Sequence, residues 1–455
     1  MSRVDLIVRN GSIVDTDGGP HRADLGITEG RIVERAPRLA RISAARTIDA
    51  DGKLVLPGIV DPHVHLSKAF GCAHGQRLLA AAGVTTAVDF AGPVHDVFET
   101  VATQGAGLLI GSLEAVAPGR AEQNLAATVE GSLAGGALGV KVLGGHFPLH
   151  PESISTLADI VAARKDFLLA VHAGSTRTPG DFEGMQEAIT LLGDAPAYLA
   201  HLNSYVRGEV HDDAEEASRA IESLRLHPSL TTECYLSTLN GCPAEVVDGA
   251  LASAATARHL RRLGYADDSA GLEAAIGDGQ GGVVSPSGEL TYREHGIEVW
   301  RAAATRTMVC LPVNHLGATL ALLNARRDGA PLVAHLCSDG GGIPRNVTLP
   351  MGLTLVDWQV MTMQELLQRA IVAPARMLGL DRGRLQPGDA ADLVVLGSHR
   401  LPEVTIAGGA IVFRHGEVIG HGGRVLVTSD EGHASATERG LTALRTRMYL
   451  PSFDS

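Results

Sequence analysis

The chain has 455 residues, 45% hydrophobic and 20% charged, enough to bury a large core. Its 38 basic and 51 acidic residues leave a formal net charge of −13, which argues against nucleic acid or an anionic membrane surface as a main partner, because both recruit clustered positive charge. No apolar run reaches the roughly 18 residues of a membrane span, the start MSRVDLIVRNGSIVDTDGG does not read as a signal peptide, and five cysteines without a CxxC pair suit a reducing cytoplasm better than a disulfide framework.

Residues 1–57 read as short β-strands: DLIVRNGSIVD, ADLGITEGRIVERA and RTIDADGKLVLPG, with Gly and Asp between β-branched runs. GDAADLVVLG, VTIAGGAIVFRHGEVI and GRVLVTS repeat the style within 385–455, so the two ends are expected to build one composite β domain, two unrelated β caps being the alternative. Between them, over 58–384, apolar strands alternate with helical stretches such as STLADIVAARK and EEASRAIESLRL. The strands are GIVDPHVH, TTAVDFAG, GLLIGSLEAV, ALGVKVLG, DFLLAVHAG, PAYLAHLN, SLTTECYL and PLVAHLCSDGG. Eight β/α units predict an α/β fold of the (β/α)8 TIM-barrel type. Leu236 to Ala330 is too long for an ordinary connection. It follows a strand and so lies over the C-terminal mouth, as a lid or as a packing insertion.

Polar residues at the ends of apolar strands are the informative ones. The first strand ends in Asp61-Pro-His63-Val-His65, and residues two apart on a strand share a face, which puts two imidazoles together at the mouth. His172 and His201 end the fifth and sixth strands, and Asp339 ends the eighth, ahead of glycines that allow close approach of a ligand. Lys141 is the only charge in ALGVKVLGG, in a chain whose other lysines are Lys53, Lys68 and Lys165. A buried ammonium is costly. It is met either by a salt bridge to Asp61 or Asp339, or by a lowered pKa and reaction with carbon dioxide to a carbamate that can bridge two cations.

With these residues in place the chain resembles the amidohydrolase superfamily, in particular its binuclear members: hydantoinases and dihydropyrimidinases, dihydroorotases, allantoinases and isoaspartyl dipeptidases. DLIVRNGSIVD, KLVLPGIVDPHVH, ELLQRAIVAPARMLGL and GRLQPGDAADLVVL look like pieces of that family in its order. The resemblance implies a barrel over 58–384 and a small β-sandwich from 1–57 and 385–455. It implies two divalent metal ions, zinc being usual. His63, His65 and Asp339 would hold one and His172 and His201 the other, with carboxylated Lys141 as the bridge. It implies attack of a metal-bridging hydroxide on an amide carbonyl, with Asp339 shuttling the proton to the leaving nitrogen. Homo-oligomers are common in the family.

Two positions depart from the hydantoinase-like pattern. His146 stands five residues after Lys141, where those enzymes carry an oxyanion-stabilising tyrosine; an imidazole N–H can donate the same bond, or the residue is an idle loop histidine. The eighth strand continues Asp-Gly rather than Asp-His, which looks more like isoaspartyl dipeptidases and N-acyl-D-amino-acid deacylases. Past the strand ends, Asn203, Tyr205, Arg207, Arg345 and Asn346 are candidates to bind substrate, the arginines suiting a carboxylate. His335 is expected in the core. The expected activity is hydrolysis of a non-peptidic C–N bond in a small cyclic amide, ureide or imide. A deacylase or dipeptidase acting on a linear amide is the alternative. Lys141 argues against a heterocycle aminohydrolase, and the full ligand set against a non-enzymatic scaffold like the dihydropyrimidinase-related proteins.

Overall fold

The computed structural model describes residues 3–450. Nine strands form one β sheet from both chain ends. Arg3–Asp15, Gly18–Thr28, Arg31–Ala36, Ser43–Asp49 and Leu54–Pro57 come from the N-terminal side, and Leu393–Leu396, Pro402–Ala407, Ala410–Arg414 and Glu417–Val418 from the C-terminal side. The seam is the antiparallel pair of Leu54–Pro57 with Leu393–Leu396, with Leu56 opposite Val394. Alternation along these strands buries Leu6, Val8, Ile13, Leu25, Ile27, Val55, Leu393, Val395 and Ile406 in one core.

Eight parallel positions follow. Strand one is Ile59–His65, strand two Val84–Asp89, strand three Ala106–Ser112 continued by Glu114–Ala115, and strand four Gly139–Leu143. Strand five is Leu168–His172, strand six Ala197–Leu199, strand seven Leu230–Tyr235, and strand eight His335–Cys337 continued by Gly340–Gly341. Each pairs in parallel with the next, and Gly340 and Gly341 of strand eight pair with Val64 and His65 of strand one. Helices such as Cys72–Ala81, Pro151–Arg164, Phe182–Leu192 and Asp213–Leu226 lie between them. The strands are buried along almost their whole length, as strands with both faces covered must be. This is the α/β arrangement of a TIM-barrel-type fold with an extra β domain.

One pairing differs from the expectation that 385–455 joins the terminal β domain as a piece. Gly422–Val427 pairs in parallel with the lower part of strand three, Val425 opposite Ile110, and Thr442–Arg445 adds a further strand outside it. Val425, Leu426 and Val427 are all fully buried, as in a strand covered on both faces. Strand three forks in consequence: its continuation, Glu114–Ala115, pairs with strand four.

The long excursion after strand seven is a folded insertion. Asn240–Pro243, Met308–Leu311, Gly282–Val284 and Leu290–Thr291 form an antiparallel sheet, covered by helices Ala254–Arg262, Ser269–Gly277 and Arg293–Ala302. It has its own core of Leu260, Leu272, Ile276, Val283, Trp300 and Val309, and the Trp300 indole N–H donates to the Ala244 carbonyl at 2.9 Å. Its hairpin reaches the helix after strand one: Gly288 sits against the His74 ring so closely that a Cβ there would lie 1.8 Å from Nε2. The insertion thus spans from strand seven to strand one.

Candidate metal centre

Strand one presents His63 and His65 two residues apart, with ring centroids 5.2 Å apart. Asp339 faces both from the break in strand eight: its Oδ1 lies 3.4 Å from His63 Nε2 and 2.9 Å from His65 Nε2. From the other side, the His201 ring stacks 5.2 Å from His63, and His172 lies edge-on 4.6 Å from His201. The six residues expected as ligands thus come from strand ends one, four, five and eight and from the residues after strand six. His201 and Asp339 both hold left-handed backbone, φ 32° and 48°, a conformation that non-glycine residues adopt at a cost and that collects at functional sites.

Burial pushes His63, His172 and His201 well below the usual imidazole range, so their rings are neutral at pH 7 and can offer lone pairs. His63 Nε2 and His201 Nδ1 are buried without hydrogen-bond partners. Burial alone would raise the Asp339 carboxyl, but Arg345, His63 and His201 outweigh it and hold Asp339 well below the carboxylate range.

Lys141 is 1% exposed. Its Nζ lies over the Phe90 ring, 4.6 Å from the centroid, and has no hydrogen-bond partner. Asp61 is turned elsewhere: its Oδ1 accepts the Ser338 N–H at 3.1 Å and the His63 N–H at 3.4 Å, tying strand one to strand eight. Burial lowers Lys141 to about 8, which leaves a sizeable neutral fraction near physiological pH.

The residues expected to bind substrate are mostly engaged within the protein. Arg345 is buried, donates from Nε to the Asp339 carbonyl at 2.6 Å and from a terminal nitrogen to Asp339 Oδ2, and lies over Tyr235. Arg207 donates to Asn314 Oδ1 at 2.8 Å and to the Tyr235 hydroxyl at 2.9 Å. Asn203 clasps the backbone of Tyr235, Asn346 that of Gly341, and the Tyr205 hydroxyl accepts the Ala173 N–H. His146 is exposed beside the centre, its ring 5.5 Å from His172. His335 is buried, 3.0 Å from the Tyr198 hydroxyl.

Sequence reading missed Glu233. It lies fully buried on strand seven, and its Oε1 bonds His63 Nδ1. The signal was available: Glu233 is the one charge in SLTTECYL, as Lys141 is in its own strand. It also missed Arg258, on the first helix of the insertion. Arg258 lies 3.4 Å from Glu209 and close enough for its charge to act on His146.

No family model matches the chain. Over 94 residues it is 45% identical to an allantoinase of Rubrobacter xylanophilus, a stretch covering 20% of each chain. Over 422 residues it is 22% identical to a dihydroorotase of Trichlorobacter lovleyi, covering 86% of this chain and 89% of the relative. The first match therefore spans only a fifth of its relative's length, while the second runs nearly end to end. These findings support the amidohydrolase superfamily for this chain. The fold agrees. The structure of N-acyl-D-glutamate deacylase from Bordetella bronchiseptica, complexed with zinc and a phosphonate inhibitor, superposes with a TM-score of 0.65 at 18% identity over 93% of this chain and 99% of the other. A D-hydantoinase structure gives 0.61 at 18% identity over 93% and 98%. Neutral histidines, a lysine and one carboxylate converge here, and several of their buried polar atoms have no hydrogen-bond partner.

Proposed function

We propose that this chain is a metal-dependent hydrolase of a non-peptidic C–N bond, acting on a small cyclic amide, ureide or imide. In this reading the ring of parallel strands is a closed (β/α)8 barrel over 58–384, with the terminal β domain drawn from 1–57 and from the part of 385–455 before Gly422. One observation carries the proposal: Lys141 Nζ, His63 Nε2 and His201 Nδ1 are buried without hydrogen-bond partners, His63 Nε2 lies 3.4 Å from Asp339 Oδ1, and Lys141 and His201 are near enough to exchange charge effects with Asp339. His63, His65 and Asp339 have ligand atoms within 4.8 Å of one another and would hold one divalent ion. His172 and His201 would hold the second, and Lys141, carboxylated by carbon dioxide, would bridge the two. The donor set of imidazoles and carboxylates suits zinc, the metal named for the deacylase of like fold, without excluding other divalent ions. Bound there, such ions supply Lewis-acid polarisation of a carbonyl and acidify a water.

The chain's own residues supply the rest. Asp339 Oδ1 faces the two histidines while Oδ2 is fixed by Arg345, so one oxygen is oriented to take a proton from the attacking water and pass it to the leaving nitrogen. His146, at the open side beside His172, is placed to donate an N–H to the carbonyl oxygen as charge develops. A second reading, a deacylase acting on a linear N-acyl amino acid, is favoured by Arg258, whose Nε lies 3.4 Å from Glu209 without a hydrogen bond among the described residues, whose charge reaches His146, and which suits a substrate carboxylate. Metal analysis of the purified protein should give close to two equivalents. A reproducible value near zero or one, after reconstitution with zinc and bicarbonate, would sink the binuclear centre. Assaying hydantoins, dihydropyrimidines, dihydroorotate, N-acyl amino acids and isoaspartyl dipeptides side by side separates the two readings.

A further inference from the structure

We infer that Glu233 is a positioning residue for both halves of the metal centre: one carboxylate orients the ring of His63 and pins the backbone of His201. The inference rests on the metal reading above. Strand seven contributes no ligand to the expected set, yet it carries this fully buried carboxylate between the strands that do. Glu233 Oε1 meets His63 Nδ1 and also accepts the His201 N–H at 3.2 Å. Its Oε2 accepts the Tyr198 hydroxyl at 2.6 Å, and that hydroxyl lies 3.0 Å from His335 Nδ1. Cys337 Sγ lies within 4.8 Å of both the Glu233 carboxylate and the His63 ring nitrogen.

The consequences follow from what a carboxylate can do. Ionised, it only accepts, so the proton of His63 sits on Nδ1 and the lone pair on Nε2. Nε2 is the buried, partnerless atom that faces Asp339. A carboxylate behind an imidazole fixes its tautomer and raises its basicity as a ligand. The bond to the His201 N–H acts on the other half, where φ of 32° needs an anchor to persist. Tyr198 in turn keeps Glu233 from rotating away.

The test is a zinc titration of the full chain, stripped by chelator, supplied with bicarbonate and read by competition with a chromogenic chelator. Wild type should take two equivalents. Glu233→Gln keeps the size but loses the charge, and zinc affinity should fall by about 10–100-fold, the usual loss when such a partner is removed. Its metal-free form should melt close to metal-free wild type. Wild-type affinity in Glu233→Gln, with any loss of melting temperature equal in the metal-free and loaded forms, marks a purely structural role and overturns the inference. Should Glu233→Gln not fold, Tyr198→Phe decides. It removes one donor and keeps the ring, so affinity should drop severalfold, and an unchanged affinity overturns the inference. A wild-type chain that takes up no zinc overturns the metal reading itself, whatever the variants do.

Discussion

Lys141 shows how much one side chain can say when its surroundings are apolar. A salt bridge would have made it an ordinary buried ion pair, but its Nζ lies over the face of Phe90 and has no hydrogen-bond partner. Burial there lowers Lys141 to about 8, so a sizeable fraction is neutral near physiological pH, and the neutral amine is the form that takes up carbon dioxide. Lys141→Ala is therefore expected to lose the bridge and most activity, with partial recovery when short-chain carboxylic acids are supplied in solution. Full metal content and full rate in that variant would show that the lysine is only structural. Asp339 makes the complementary case. Arg345 holds it ionised, which suits a base and a ligand, and explains why this arginine is not free for substrate. Asp339→Asn should keep the fold and lower kcat by about 10² or more, the lower end of what general-base catalysis contributes; a rate within a few-fold of wild type would remove it from the mechanism.

The element that most shapes the mouth is the insertion after strand seven. Its first helix, Ala254–Arg262, meets the loop after His201 through Glu209, which lies 3.4 Å from Arg258 and 3.6 Å from His259. Burial would raise Glu209, but the nearby His259 ring and the charges of Arg207 and Arg258 more than offset it and bring Glu209 down to about 2. A carboxyl depressed in the folded state stabilises fully above its unfolded pKa, near 4.5, and loses that contribution as pH falls towards 2. Glu209→Gln should accordingly be less stable than wild type at pH 7, by about 1–3 kcal/mol for a partly buried pair. The gap should close between about pH 4.5 and 2 in acid-unfolding curves. Parallel curves would mean the pair carries no linkage. Arg258→Ala tests the same helix from the substrate side: KM should rise at least tenfold for substrates with a carboxylate and stay put for uncharged amides, with kcat little changed. Equal effects on both substrate classes would return Arg258 to holding Glu209 alone.

At the scale of the whole molecule, the candidate centre ties together distant parts of the barrel. His63, Lys141, His172, His201 and Asp339 sit at five different strand ends, and Glu233 adds a sixth strand. In the metal reading proposed above, ions held by the ligand residues would bind the folded chain and not the unfolded one, so stability should track free metal. At a hundredfold excess over Kd each site adds about 2.7 kcal/mol. Thermal melts with and without chelator should differ by several degrees, and a melting temperature indifferent to zinc would contradict tight binding by the folded form.

The sequence by itself determined the eight parallel strands and the convergence of polar residues at one end. Both are local signals: apolar runs with a period, and single charges that stand out inside them. His63, His65, Lys141, His172, His201 and Asp339 were legible because each interrupts or ends such a run. Asn203, Arg207, Arg345 and Asn346 were legible as polar residues near the mouth, but their partners were not: Tyr235 and Asn314 lie far along the chain from Asn203 and Arg207, while Asp339 and Gly341, close in sequence to Arg345 and Asn346, are met only through the fold of the turn after strand eight. Glu233 carried the same local signal as Lys141, yet its meaning depends on a histidine 170 residues away. The Val425–Val427 run reads as a strand in either setting, and only tertiary structure decided that it pairs with Ala106–Ser112 and not with the terminal sheet. Hydrophobic periodicity records which residues are buried. Which surfaces bury them, and which charge meets which, is settled by packing between segments far apart in sequence.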